Sequence, residues 1–262
     1  MEANEFVAEV YRRMSLRRSE NNVLAIQPND FENDPQSKTA AFQYKSVLPK
    51  EKEAKILDIG FGSGWFLSAC THLGYTNLYG ADFGGKEKLD KVCNHTDALK
   101  GVFDIENNIA DFLSENKEKY DFIHMSHVIE HIPKHSLIFV TDALYKSLNK
   151  GGKLFLKTPN MEGLCASSSM YVTLGHEYGF CGSNLESLLN ICGFDDVMVH
   201  EFPAYAPTVK QKLGLLIRIP FITYNRILHR LFGVNHGDQF GSELIVSGTR
   251  MNFPPLFDER YR

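Results

Sequence analysis

The sequence predicts an α/β fold with a mainly parallel sheet and helices on both faces, on two observations. Short apolar runs recur at residues 54–59, 77–83, 120–125 and 153–158, and longer helix-compatible stretches separate them. That alternation is the pattern of β-α-β units, in which each pair of parallel strands needs a crossover long enough to hold a helix.

Ahead of these runs, Phe6, Val7, Val10, Tyr11 and Met14 recur at helical spacing and predict an amphipathic helix over 5–14. Residues 15–39 are polar, with Pro28, Asn29, Asp30, Asp34 and Pro35, and read as a long connection. Residues 1–53 are therefore expected to form a helical arm and loop, and 54–262 the main domain. A weaker run at 101–105 supplies a strand between the second and third apolar runs, and two more strands fall at 195–202 and 243–249. The intervening insert, 203–242, reads as a cap over the sheet's C-terminal edge. It carries Lys210, Lys212, Arg218, Arg226 and Arg230 with no acidic residue between Tyr205 and His236, and its leucines and isoleucines predict two short basic amphipathic helices broken at Pro220.

Composition narrows the function classes. The 262 residues are 43% hydrophobic and 23% charged, as in an ordinary globular domain. With 28 basic against 32 acidic residues and a net charge of −4, a surface built throughout to grip nucleic acid is excluded, although a local basic patch is not. The five cysteines lack C-x-x-C spacing, which argues against a disulfide framework or a zinc ribbon. The acidic N-terminal residues and the lack of a long apolar run predict neither signal peptide nor membrane span, and hence a cytoplasmic protein.

The most informative stretch is Lys55-Ile-Leu-Asp-Ile-Gly-Phe-Gly-Ser-Gly-Trp-Phe-Leu67, a strand entering a glycine loop and then a helix. Glycines let backbone approach a ligand closely. The spacing is G-x-G-x-G; Trp65 stands where a dinucleotide-binding loop needs its third glycine, which weighs against a nicotinamide-dependent sugar oxidoreductase, as does the lack of a clear Tyr-x-x-x-Lys pair.

With Asp58 before it, this loop resembles motif I of the class I S-adenosylmethionine-dependent methyltransferases. Further matching features follow in order: Asp82-Phe83 ending the second strand, Asp111-Phe112 after the weak third, Tyr120-Asp-Phe-Ile-His-Met-Ser-His-Val-Ile-Glu-His131 at the fourth, and Leu148-Asn-Lys-Gly-Gly-Lys-Leu-Phe-Leu156 at the fifth. The resemblance implies a Rossmann-like, seven-stranded sheet with one antiparallel strand, and S-adenosylmethionine as cofactor. It assigns Asp58, Gly60, Gly62, Ser63 and Gly64 to the methionine end, Asp82 to the ribose, and Asp111 and Phe112 to the adenine. Trp65, Phe83 and Ser126 complete the expected cofactor-binding set.

Methyl transfer to a hydroxyl needs a group that takes the acceptor's proton. His127, Glu130 and His131 stand at i, i+3 and i+4, one face of a helix if they are helical, and His176 follows from the loop after the fifth strand. Glu130, His131 and His176 are the candidate catalytic residues. The four together resemble the Glu-x-x-Glu-His plus distant His of the ubiquinone-biosynthesis O-methyltransferases and the small-RNA 2′-O-methyltransferases, which implies a candidate divalent-ion site on His127, Glu130, His131 and His176. A histidine in place of the first Glu favours manganese, iron or zinc over magnesium. His124 reads as a core or sheet-face histidine, and His72, His95, His135, His200, His229 and His236 as surface groups.

Thr158-Pro-Asn160, the His176 loop and the basic insert resemble the sugar O-methyltransferases of bacterial surface-polysaccharide pathways. The implied acceptor is a hydroxyl of a sugar, expected to be nucleotide-linked, with the insert's cations on the diphosphate. The insert could instead rest on an anionic membrane as a peripheral contact, or be a packed cap. A quinone or catechol acceptor and a non-catalytic S-adenosylmethionine-binding module are the competing readings.

Overall fold

A computed structural model describes residues 31, 34–83, 97–105, 108–116, 119–202, 204–232 and 241–251. In chain order the elements are α1 (Pro35–Tyr44), β1 (Ile56–Ile59), α2 (Trp65–His72), β2 (Leu78–Asp82), β3 (Leu99–Asp104), α3 (Ile109–Glu115) and β4 (Tyr120–Ser126). After two short 3-10 turns come α4 (Leu137–Ser147), β5 (Leu148–Pro159), α5 (Ala166–Met170), α6 (Gly182–Ile191), β6 (Asp195–Val199), α7 (Val209–Leu231) and β7 (Glu243–Thr249).

The strands form one seven-stranded sheet in the order β3-β2-β1-β4-β5-β7-β6. β7 runs antiparallel to both of its neighbours and the other pairings are parallel, so a single strand is reversed, as expected. The weak run is a true strand, β3, paired with β2 up to Asp82 opposite Asp104. A helix layer covers each face, and β1 is buried along its whole length, as a central parallel strand must be. One core gathers Leu57, Ile59, Ile123 and Leu154 with α4 and α6; the other gathers Ile56, Phe66, Phe122 and Phe155 with α1 and α2.

Two sequence readings change. The connection read over 15–39 ends early: Asp34 accepts hydrogen bonds from the amides of Gln36 and Ser37 and caps α1, which buries Ser37, Ala40, Ala41 and Tyr44. The cap-then-proline start at Asp34-Pro35 is a helix signal outweighed by the polar residues around it. Among its described residues the insert holds one helix, α7, that continues through Pro220; Thr208 and Gln211 close a capping box at its start. The helix expected at 5–14 lies outside the described residues.

Asp58 brings a carboxylate into the core, and its partners explain how the fold tolerates it. It stands opposite His124 on β4, whose Nδ1 lies 2.7 Å from Asp58 Oδ1. A carboxylate can only accept, so Nδ1–H donates; in the neutral ring Nε2, 2.9 Å from the Tyr44 hydroxyl, accepts from it. The imidazole also stacks on Phe66 at 3.8 Å. His124 is thus a satisfied core histidine, as expected. Burial still pushes the Asp58 carboxyl up against the opposing pull of His124, and burial pushes the Tyr44 phenol well up. A Tyr44→Phe substitution leaves the His124 acceptor unmet in a dry site and should cost about 1–3 kcal/mol of stability, measured by denaturant unfolding.

Candidate active site

The glycine loop joins β1 to α2 at the C-terminal edge of the sheet, where open α/β sheets bind ligands. Gly60, Gly62 and Gly64 have φ of +74°, +54° and +76°, a region that favours glycine. At Gly60 the constraint is also spatial, because a Cβ would meet Val128 Cγ2 at 2.3 Å. The amide of Gly62 donates to Asp82 Oδ2 at 2.8 Å, so the acid that ends β2 also closes the loop. Gly64 caps α2 without a side-chain bond, leaving the helix's first amides turned toward the loop, and Trp65 opens the helix beneath the ammonium of Lys157 at 5.7 Å. Ser63 lies within this loop, Phe83 is exposed just beyond β2, and Ser126 ends β4 with its hydroxyl buried and unpartnered.

Asp111 and Phe112 sit differently from the expectation. Asp111 is exposed in the first turn of α3, where its carboxylate accepts from the side-chain amide of Asn108 at 2.6 Å while its own amide donates to Asn108 Oδ1. Phe112 packs on Phe103 against the core. The end of β3 is instead Asp104, paired with Asp82, followed by buried Ile105 whose amide donates to the Asp82 carbonyl. An Asn three residues before an acid is a helix-start signal that could have separated Asp111 from the strand end.

The four residues proposed around the acceptor split into two sets. The first of the two 3-10 turns after β4 is Ile129–His131, and His127 before it has φ +55°. His127 Nε2 therefore meets Glu243 Oε1 at 3.2 Å, while Nδ1 lies 3.3 Å from Glu130 Oε1. With both nitrogens on carboxylates, His127 is an imidazolium: burial alone would lower its pKa, but Glu130 and Glu243 override it and push it up to about 9. Burial would raise Glu243, but His127 and Lys157, the latter at 2.8 Å, pull it down to about 2. A held cation is a poor metal ligand, so the ligand role expected of His127 is replaced by this ion-pair bridge.

Glu130, His131 and His176 do converge, with one ligand-type atom from each within 4.8 Å of the others. Glu130 is 2% exposed; its Oε2 accepts from the Thr158 hydroxyl at 3.0 Å, and its Oε1 lacks a hydrogen bond. His131 Nδ1 donates to the Gly175 carbonyl at 2.6 Å and His176 Nδ1 to the Met170 carbonyl at 3.0 Å. A carbonyl cannot donate, so in each neutral ring Nε2 carries the lone pair. The rings lie 4.7 Å apart, and His176 Nε2 is 4.0 Å from Glu130 Oε1. Burial holds the His131 pKa below its ordinary value, against the pull of Glu130. Elsewhere, His200 is half-buried on the Ser247 hydroxyl at 2.7 Å and His229 is half-buried, so neither is the surface group expected. His95 and His236 lie outside the described residues.

A sheet of this order, with a glycine loop after its central strand and an acid ending the next, defines the methyltransferase class. A sequence profile described as "Methyltransferase domain" matches residues 34–197, and the chain belongs to that family. No curated protein matches it. Among solved structures the chain is similar to a SAM-dependent methyltransferase from Archaeoglobus fulgidus, at 20% identity and TM-score 0.58, over 81% of this chain and 94% of that one. It is also similar to an S-adenosylmethionine-dependent methyltransferase from Mesorhizobium loti (14%, TM-score 0.51, 79% and 95%). A third is phosphoethanolamine N-methyltransferase 2 from Haemonchus contortus (17%, TM-score 0.52), of which 82% of this chain covers 53%.

Two outcomes follow from this geometry. Gly60→Ala forces both a left-handed alanine and an overlap with Val128, and should cost about 2–4 kcal/mol in denaturant unfolding. His127 should titrate near 9 by NMR and fall toward its ordinary 6.5 in Glu243→Gln. Since the folded-state value is the raised one, its contribution to stability is full below pH 6.5 and is lost as pH rises through about 9, which thermal melts across that window would read.

Proposed function

We propose that the protein is an S-adenosylmethionine-dependent O-methyltransferase acting on a sugar hydroxyl, in the cytoplasm. One observation carries the O-methyl reading: two imidazoles, each with Nδ1 tied to a backbone carbonyl, present Nε2 as an acceptor beside a buried carboxylate. A neutral hydroxyl is a weak nucleophile and needs a base to take its proton as the O–C bond forms, whereas a neutral amine attacks without prior loss of a proton.

The chain's groups suit the cofactor. The cradle at Gly60, which a Cβ would fill, and the uncapped amides of α2 match the methionine end, and the unpartnered Ser126 hydroxyl is a polar group in want of a ligand. Asp82 suits the ribose hydroxyls, and Asp104 with Ile105, next to it at the end of β3, takes the adenine side in place of Asp111 and Phe112. Asp58 acts through His124 and the position of β1 instead of meeting the ligand, since its carboxylate is turned into the core. When bound, S-adenosylmethionine supplies a sulfonium methyl group for transfer to a nucleophile.

His131 is the proposed base. Held neutral by burial, it takes the acceptor's proton at Nε2, while Gly175 keeps its tautomer and Glu130 stabilises the imidazolium that forms. His176 flanks the same acceptor oxygen. The turn that carries His131 also carries Val128, which packs on the cofactor loop, so base and methyl donor share one wall. The sugar reading rests on resemblance to the surface-polysaccharide enzymes through Thr158-Pro-Asn160 and the His176 loop. Thr158 holds Glu130, and Asn160 ties its loop to the Gly241 carbonyl at 3.0 Å, so this motif shapes the acceptor side.

A second reading has its own support. Glu130, whose Oε1 faces His127 Nδ1 at 3.3 Å without a well-aligned hydrogen bond, forms with His131 and His176 a set of two imidazoles and one carboxylate that suits a divalent ion of the manganese, iron or zinc type. Such an ion would acidify the acceptor oxygen.

S-adenosylhomocysteine release from a panel of nucleotide sugars and catechols should show turnover of a sugar. His131→Asn should lower kcat by about 10²–10⁴ with S-adenosylmethionine affinity unchanged. Loss of turnover on chelation, restored by Mn2+, would select the metal reading. Turnover of catechols alone would remove the sugar, and cofactor binding without turnover of any acceptor would point to a binding module.

A further inference from the structure

We infer that α7 is an anchor that lies in the plane of an anionic membrane, with its apolar face in the bilayer and its cations on the lipid phosphates. The inference is independent of which acceptor the enzyme uses.

The first observation is an inverted helix. Leu213, Leu216, Ile217, Phe221, Tyr224 and Ile227 recur at spacings that place them on one stripe, and all are between 51% and 62% exposed. The less exposed Leu215, Ile222, Asn225 and Arg226 fall on the opposite side, and no residue of α7 is buried. A cap packed over a sheet turns its apolar stripe inward; this helix turns it outward. Contiguous apolar surface of this kind marks an interaction site.

The second observation is charge. α7 carries Lys210, Lys212, Arg218, Arg226 and Arg230 and no acid, in a chain whose net charge is −4. That asymmetry separates the candidate occupants. A second copy docked through the same face by a two-fold would set Lys210, Lys212, Arg218 and Arg230 against their own copies, Arg226 being turned to the opposite side. An anionic bilayer accepts both the stripe and the charges, the pattern of an interfacial helix. No described helix is long and apolar enough to cross a membrane, which leaves the in-plane arrangement.

The third observation is place. The insert leaves after β6, and β7 begins at Glu243 opposite Pro159, so both of its ends stand at the C-terminal edge of the sheet. The loop after β5, which leads to His176, departs from that same edge and exposes Tyr171, Val172 and Leu174 at 75% or more. Docking through α7 brings this edge toward the lipid.

Co-sedimentation of the full chain with extruded vesicles tests the inference. Vesicles of phosphatidylcholine with about 30% phosphatidylglycerol should bind at least tenfold more protein than phosphatidylcholine alone, and salt should weaken that binding. Phe221→Glu with Ile227→Glu should abolish it, and Lys212→Glu with Arg230→Glu should reduce it about tenfold or more. These positions are exposed, so circular dichroism and the thermal midpoint should stay as in the parent chain. Equal binding to neutral vesicles, no binding to either, binding that survives the apolar double variant, or a solution dimer broken by Phe221→Glu would each overturn it.

Discussion

The site is organised around one carboxylate taken out of water. Glu130 has almost no exposed surface, and the neighbours that compensate it come from different parts of the chain: the Thr158 hydroxyl from β5 and His127 from the end of β4, while His176 from the loop beyond α5 lies beside it. Its main chain contributes as well, since the Glu130 carbonyl accepts from the amides of Glu177 and Tyr178. A buried charge must be paired or it is expensive. The loop bearing His176 is therefore held where the imidazole faces His131. The ion-pair bridge continues through His127 to Glu243 and Lys157, so the start of β7 is set against the end of β5 by the same electrostatics.

The parts of the protein legible in sequence were those where a local rule and the tertiary demand agree. Parallel strands buried on both faces read as apolar runs, and a backbone forced into positive φ reads as glycine, so β1, β2, β4, the cofactor loop and Asp82 were all visible. Convergence of Glu130, His131 and His176 was visible too, through spacing and resemblance. His127 was not. The i, i+3, i+4 rule assumes an α-helix, but the chain turns through a left-handed residue into a 3-10 turn, which swings that ring to a strand more than a hundred positions away. That Asp111 belongs to a helix start was not visible, because an acid after a strand reads alike as a ligand or as part of such a start, and only Asn108 separates the two. The tyrosine on His124 had no sequence signal at all, because it comes from α1, inside and beyond a stretch that looked like linker.

The insert shows the opposite relation between sequence and packing. Its amphipathic pattern is strong, yet pattern alone says only that two faces differ, and not which one meets the protein. In α7 the stripe that would normally build a core is the one left outside. Pro220, expected to divide the segment, is accommodated within a continuous helix. Among the described residues nothing buries that stripe, and contiguous apolar surface on a helix without acids marks an interaction site.

The line from Tyr44 through His124 to Asp58 has a thermodynamic meaning beyond its hydrogen bonds. Asp58 lies two residues before the cofactor loop, while Tyr44 closes the last turn of α1, so the loop and the arm share one polar strut. If a ligand at the loop tightens this strut, reciprocity requires that seating α1 raise the affinity at the loop by an equal factor. A segment that looks like packaging at the edge of the domain thus reaches, through one histidine, the strand that carries the loop.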